Sequence, residues 1–73
     1  MPTLGQRLIR IKNERGLLQK NIAKDNNISL RMYRYYESDE KEPTAGVLIK
    51  LADYFDVSLD YLTGRSETIE RQP

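Results

Sequence analysis

Hydrophobic residues recur along this chain with the spacing of α-helices, and five helices can be placed from them. The first contains Leu4, Leu8 and Ile11 at positions i, i+4 and i+7. Thr3 opens it with the spacing of a capping box, and Gly16 is expected to end it. No alternation is long enough to predict a strand. The pattern therefore indicates an all-α fold, a compact bundle of five helices.

The second and third helices are predicted at about residues 18–26 and 30–37, with a tight turn between them. Asn26 and Asn27 suit that turn, because Asn tolerates the left-handed backbone conformation better than other residues with a side chain. Ser29 supplies a side-chain oxygen that can cap the third helix. This segment is typical of a helix-turn-helix.

The fourth helix is predicted at residues 45–54, where the amphipathic pattern is strongest and Thr44 can cap it. Ser58 begins a short fifth helix. Residues 65–73 are polar and are predicted to form a flexible C-terminal tail, which leaves residues 1–64 as one domain.

The third helix divides its side chains between two faces. Met32, Tyr33 and Tyr36 fall on one side and are predicted to pack into the core rather than to stack on nucleic acid. The opposite face is free to meet a partner, and it is formed by Leu30, Arg31, Arg34 and Tyr35. The two arginines could be ordinary solvated charges, but their place opposite an apolar face favours a binding role.

The charge of the chain is small in total and uneven in distribution. The net charge is +1, yet residues 1–36 hold eight basic and two acidic side chains, and residues 37–73 hold four basic and nine acidic ones. A basic half suits a polyanion, because Lys and Arg that neutralise phosphates release condensed counterions. The acidic half is expected to face away from the polyanion or toward another protein.

Composition excludes several classes of function. The chain has no cysteine and no histidine, so it has no disulfide, no thiol chemistry, no Cys/His zinc site and no histidine acid or base. A domain this small cannot enclose a deep substrate pocket, so we predict no enzyme, no cofactor and no small-molecule substrate. No apolar run approaches the roughly 20 residues that span a bilayer, and we predict a soluble, cytoplasmic protein.

Two further groups of side chains leave alternatives open. Tyr61 could pack in the core or contribute to a dimer interface. Asp53, Asp56 and Asp60 could suggest a cation site, but they lack the spacing of a calcium loop, so a solvated face is favoured and no metal is predicted.

Five motifs stand in a fixed order from Leu4 to about Gly64. They are RGLLQKNIA (15–23), Ile28-Ser29, Tyr36-Glu37, Glu42-Pro43 and LIKLADYFDVSLDYLTG (48–64). This set resembles the Xre/Cro-like helix-turn-helix family of bacterial and phage transcriptional repressors. The resemblance implies a lambda-repressor-like domain that binds double-stranded DNA sequence-specifically, as a homodimer on a palindromic operator.

The resemblance also assigns roles to residues. It places base reading on the outward face already described, where Arg31 is the leading candidate because a guanidinium can donate to both O6 and N7 of guanine. It implies that Lys12 and Glu37 form an ion pair that orients the third helix. Phosphate contacts are expected from the basic residues of the first helix and from Gln19, Lys20, Ser38 and Lys41.

The chain departs from the family pattern at several positions. Leu18 stands where the family has a capping Thr or Ser, and Asn26 stands at a core position that usually holds Leu. Asp39 and Glu40 lie in the loop that normally approaches the DNA backbone, where carboxylates would repel phosphates. They motivate an alternative, a protein-interaction module of antitoxin-like or antirepressor-like type with weak DNA binding.

Overall fold

The computed structural model describes residues 1–70, which contain five α-helices and no strand. The helices are α1 (Leu4–Arg15), α2 (Gln19–Asp25), α3 (Leu30–Glu37), α4 (Ala45–Phe55) and α5 (Leu59–Leu62). The all-α prediction is confirmed. The second helix is one residue shorter at each end than predicted, and the fourth is one residue longer.

Four of the five helices begin at a side-chain cap. The hydroxyl of each cap residue accepts a hydrogen bond from the backbone N–H three residues further on, and the four residues are Thr3, Ser29, Thr44 and Ser58. Thr3 also completes the predicted capping box with Gln6. Helix α2 begins after Leu18 without a side-chain cap, as the departure from the family pattern predicts.

The core lies where the helices meet, and α3 packs against both α1 and α2. Tyr33 and Tyr36 are buried on the inward face of α3, which confirms their predicted place. Tyr61 is 2% exposed, so it is a core residue. The buried hydrophobic side chains are Leu8, Ile11, Ile22, Ala23, Tyr33, Tyr36, Leu51, Ala52, Phe55, Val57, Tyr61 and Leu62.

The turn between α2 and α3 satisfies the polar side chain that the sequence places in the core. Asn26 is 4% exposed, and its Nδ2 donates a hydrogen bond of 2.8 Å to the carbonyl of Ile22. Asn27 follows in the left-handed conformation, with φ of 58°. The buried amide is therefore paired, as a buried polar group must be.

Residues 65–70 turn back onto the bundle. The backbone N–H of Ser58 donates to the carbonyl of Ile69 at 2.8 Å, which ties this segment to the start of α5. These residues belong to the predicted tail 65–73, whose last three residues, 71–73, lie outside the described residues. Within residues 1–70, no helix is long and apolar enough to cross a membrane.

Candidate nucleic-acid interface

The four side chains predicted to read bases lie together on the outward face of α3. Arg31 and Arg34 are exposed, and Leu30 and Tyr35 are half-buried. With Ser38 and Glu40 they line one shallow groove. Their convergence follows from helical spacing, because residues at i, i+1, i+4 and i+5 share one side of a helix.

A network of polar contacts holds α3 against α1 and α2. Lys12 Nζ lies 3.1 Å from Glu37 Oε1, and Gln19 Nε2 donates to the same oxygen at 2.9 Å. Gln19 Oε1 then accepts a hydrogen bond of 3.2 Å from Arg34 Nε. The Glu37 side chain is 6% exposed, and because burial removes the hydration of both charges, such a pair adds little net stability. The network therefore positions Arg34 relative to the rest of the domain.

Tyr33 lies beside this network on the inward face of α3. The side chain is fully buried, and its phenol lies near the Glu37 carboxylate. Burial, and then the negative charge of nearby Glu37, raise the pKa of the Tyr33 phenol well above its usual range.

The candidate phosphate-binding residues lie at the ends of α2 and α3. Gln19 and Lys20 occupy the first turn of α2, and Lys20 is exposed. Ser38 and Lys41 are exposed in the loop that follows α3. Lys41 Nζ lies 4.8 Å from the centroid of the Tyr35 ring.

The basic residues of α1 are engaged within the protein. Arg7 is 1% exposed, its guanidinium carbon lies 4.0 Å from the centre of the Tyr61 ring, and Nη2 pairs with an oxygen of Glu67. Lys12 pairs with Glu37, as described above. The prediction that the basic residues of this helix contact phosphates is therefore wrong for Arg7, which is a core residue.

Asp39 has a role that the sequence did not reveal. Its Oδ1 accepts a hydrogen bond of 2.9 Å from the backbone N–H of Gly5, and its Oδ2 accepts one of 2.6 Å from Thr3 Oγ1. The carboxylate thus lies at the first turn of α1, where the helix dipole favours a negative charge. Asp39 does not line the groove on α3, and its two carboxylate oxygens are hydrogen-bonded to Thr3 and Gly5.

Gly5 permits the close approach of α1 to this loop. A Cβ atom at position 5 would collide with the carbonyl oxygen of Glu37 and would come within 2.8 Å of the Asp39 carboxylate. Asp39 itself has φ of 63°, in the left-handed region that Asp tolerates better than most residues. The contact between α1 and the end of α3 therefore depends on both residues.

Glu40 is the acidic residue that does face the groove. Its side chain is exposed and lines the groove together with Arg31 and Arg34. It forms no ion pair or side-chain hydrogen bond with any residue from 1 to 70. Its negative charge therefore remains next to the basic face of α3.

Two short helices joined by a tight turn, with a basic outward face on the second and a polar network behind it, define a helix-turn-helix domain. Residues 7–62 match the model of the HTH_3 helix-turn-helix family, and the chain belongs to this family. This is the Xre-like family that the sequence motifs indicated, so the resemblance is confirmed.

Relatives of the chain are named as regulators. It is 35% identical over 69 residues to the HTH-type transcriptional regulator ImmR of Bacillus subtilis, and the matched segment covers 94% of this chain and 54% of that protein. It is 41% identical over 66 residues to the cryptic phage CTXphi transcriptional repressor RstR of Vibrio cholerae, and the matched segment covers 86% of this chain and 59% of that protein. The chain thus spans little more than half the length of these relatives.

A solved structure agrees with the fold. The crystal structure of a transcriptional regulator from Listeria innocua matches with a TM-score of 0.82 at 36% sequence identity, over 96% of this chain and 65% of that one. The proteins matched are named as transcriptional regulators, which agrees with the prediction that this chain is not an enzyme.

Proposed function

We propose that this chain is the DNA-binding part of a transcriptional regulator, a repressor of bacterial or phage type, and that it reads double-stranded DNA with α3 in the major groove. The observation that carries the proposal is the outward face of α3, where Arg31 and Arg34 stand exposed next to each other while the opposite face of the helix is buried. The names of the relatives support regulation of transcription, and they do not favour the protein-interaction alternative.

The two arginines are the principal readers of base edges in this proposal. A guanidinium presents several donors in a planar fork that matches O6 and N7 of guanine. Leu30 and Tyr35 complete the surface, and their apolar atoms suit the methyl group of thymine. Phosphate contacts, which set register without reading sequence, come from Gln19, Lys20, Ser38 and Lys41.

The proposal includes a homodimer on a palindromic operator. Two copies related by a twofold axis would place their α3 helices about 34 Å apart, one turn of the duplex. The proposal also includes a cytoplasmic location, where a regulator of bacterial or phage origin meets its operator.

Two substitutions test the assignment of roles on a duplex selected from a random library. Arg31→Ala should weaken binding of the selected duplex by about 1 to 3 kcal/mol and relax the preference at one base pair per half-site. Lys20→Ala should weaken all sequences alike and reduce the dependence of binding on salt. A uniform loss from both substitutions would show that Arg31 contacts the backbone and not a base.

A further inference from the structure

We propose that Tyr35 is a positioning residue that holds Arg31 and the loop after α3 as one unit, and thereby couples base reading to phosphate binding. The inference rests on the proposed function and deepens it. It concerns how two of the contacting side chains are fixed before DNA arrives.

The side chain of Tyr35 lies next to two cations. Arg31 Nε donates a hydrogen bond of 3.2 Å to Tyr35 Oη, and the guanidinium carbon lies 5.7 Å from the ring centroid. Lys41 Nζ lies 4.8 Å from the same centroid. Both distances fall within the roughly 6 Å over which a cation is attracted to an aromatic face. The Tyr35 hydroxyl therefore accepts a hydrogen bond from Arg31, and the ring attracts the positive charges of both Arg31 and Lys41.

The backbone of Tyr35 fixes the loop that carries Lys41. Its carbonyl oxygen accepts hydrogen bonds from Ser38 Oγ at 3.1 Å, from the N–H of Glu40 at 3.0 Å and from the N–H of Lys41 at 3.3 Å. These contacts fold residues 38–41 back over the last turn of α3. Lys41 is thus brought to the Tyr35 ring by the same residue that holds Arg31.

Holding these side chains has a consequence for binding. Arg and Lys have many rotamers, and each rotamer-rich side chain that becomes immobile on binding reduces the affinity. A tyrosine that already restricts Arg31 and Lys41 lowers this cost, and it sets the separation between a base contact and a phosphate contact. The Tyr35 hydroxyl then influences sequence preference through Arg31, in addition to the apolar contact that the ring can make with a thymine methyl group.

The two parts of the Tyr35 side chain can be tested separately. Tyr35→Phe removes the hydroxyl and keeps the ring, so the preference at the base pair read by Arg31 should fall by about two- to fivefold, while the dependence on salt stays unchanged. Tyr35→Leu removes the ring as well, so it should also reduce the slope of binding against salt by about one, as loss of the Lys41 contact would.

A double-mutant cycle distinguishes positioning from direct contact. Binding is measured for the wild type, Tyr35→Phe, Arg31→Ala and the double variant, on the selected duplex and on its single base-pair variants. We expect the double variant to bind like Arg31→Ala alone. Losses that multiply, or a Tyr35→Phe effect at a different base pair, would show that the Tyr35 hydroxyl acts on DNA independently of Arg31 and would overturn the inference.

Tyr54→Phe is the matched control. It also removes a hydroxyl that hydrogen-bonds a charged side chain, since Tyr54 Oη donates to Asp25 Oδ2 at 2.7 Å, but neither residue lines the groove on α3. DNA binding of Tyr54→Phe should equal that of the wild type. A loss as large as that of Tyr35→Phe would attribute the effect to general destabilisation and would overturn the inference.

The free protein gives a readout that needs no DNA. In NMR spectra, Tyr35→Phe should shift the side-chain Nε–H resonance of Arg31, and Tyr35→Leu should also shift the terminal methylene resonances of Lys41. Unchanged resonances would overturn the inference even if DNA binding is intact. Failure to select any duplex, with the resonances shifted as expected, would instead overturn the proposed function.

Discussion

Replacement of Asp39 tests the contact that joins the loop after α3 to the first turn of α1. Its carboxylate accepts two hydrogen bonds, from the N–H of Gly5 and from Thr3 Oγ1, while its backbone adopts the left-handed conformation. Removal of the side chain therefore has two opposing effects. The contacts to α1 are lost, but replacement by glycine, which has no Cβ, also relieves the strain of the left-handed backbone conformation.

The expected change in the free energy of unfolding follows from these two opposing effects. A side chain that caps the start of a helix contributes about 0.5 to 2 kcal/mol, and the left-handed conformation costs an ordinary residue roughly 1 to 2 kcal/mol relative to glycine. Asp39→Ala loses both hydrogen bonds to the start of α1 and keeps the strain, so it should destabilise the domain by about 2 kcal/mol. Asp39→Gly loses the same contacts but relieves the strain, so it should be about 1 to 2 kcal/mol more stable than Asp39→Ala. Asp39→Asn keeps an acceptor and tolerates the conformation, so it should destabilise the domain by about 0.5 kcal/mol.

Urea denaturation followed by circular dichroism measures this order as differences in the free energy of unfolding. In thermal denaturation, a loss of about 1 kcal/mol should lower the melting temperature of a domain this size by about 4 to 8 °C. Glu40→Gln is the matched control, because it removes the next carboxylate, and its stability should stay within about 0.5 kcal/mol of the wild type. If Asp39→Ala is as stable as the wild type, the contacts to α1 contribute nothing and the reasoning is refuted. For DNA binding, Glu40→Gln should raise affinity and Asp39→Asn should not.

Two further predictions concern α2 and the core. Leu18→Ser should stabilise the domain by about 1 kcal/mol against urea relative to Leu18→Ala, because it supplies the cap that α2 lacks at a site where the leucine is 54% exposed; equal stability of the two variants would argue against the missing cap. Because the pKa of Tyr33 is raised in the fold, the free energy of unfolding should be intact below about pH 10, where the unfolded tyrosine ionises, and should fall above it. Tyr33→Phe should flatten that fall in denaturation measured from pH 8 to 11, and an unchanged slope would contradict the assigned burial of the phenol.

Local signals in the sequence accounted for the helices and for the face that the site occupies. The cap residues Thr3 and Ser29 were predicted because hydroxyls favour helix starts, and the structure contains their hydrogen bonds. The inward place of Tyr33 and the outward place of Arg31 followed from helical spacing alone. These features depend on residues at most four positions apart.

Features that depend on distant parts of the chain were missed. Arg7 was grouped with the surface charges, although it follows Leu4 by three positions and precedes Ile11 by four, which places it on the apolar stripe of α1. That spacing was the available signal. No comparable signal existed for Asp39, because its partners Thr3 and Gly5 lie more than 30 residues away along the chain.

Binding to a duplex that carries 7-deazaguanine tests the central claim most directly. This base lacks the N7 acceptor in the major groove and leaves Watson–Crick pairing intact. The analogue is placed at the guanine whose preference Arg31→Ala abolishes, and binding of the wild type and of Arg31→Ala is compared with binding to ordinary guanine. If α3 reads the major groove through Arg31, the analogue should weaken the wild type and leave Arg31→Ala unaffected. Equal weakening of both proteins, or of neither, would contradict the account.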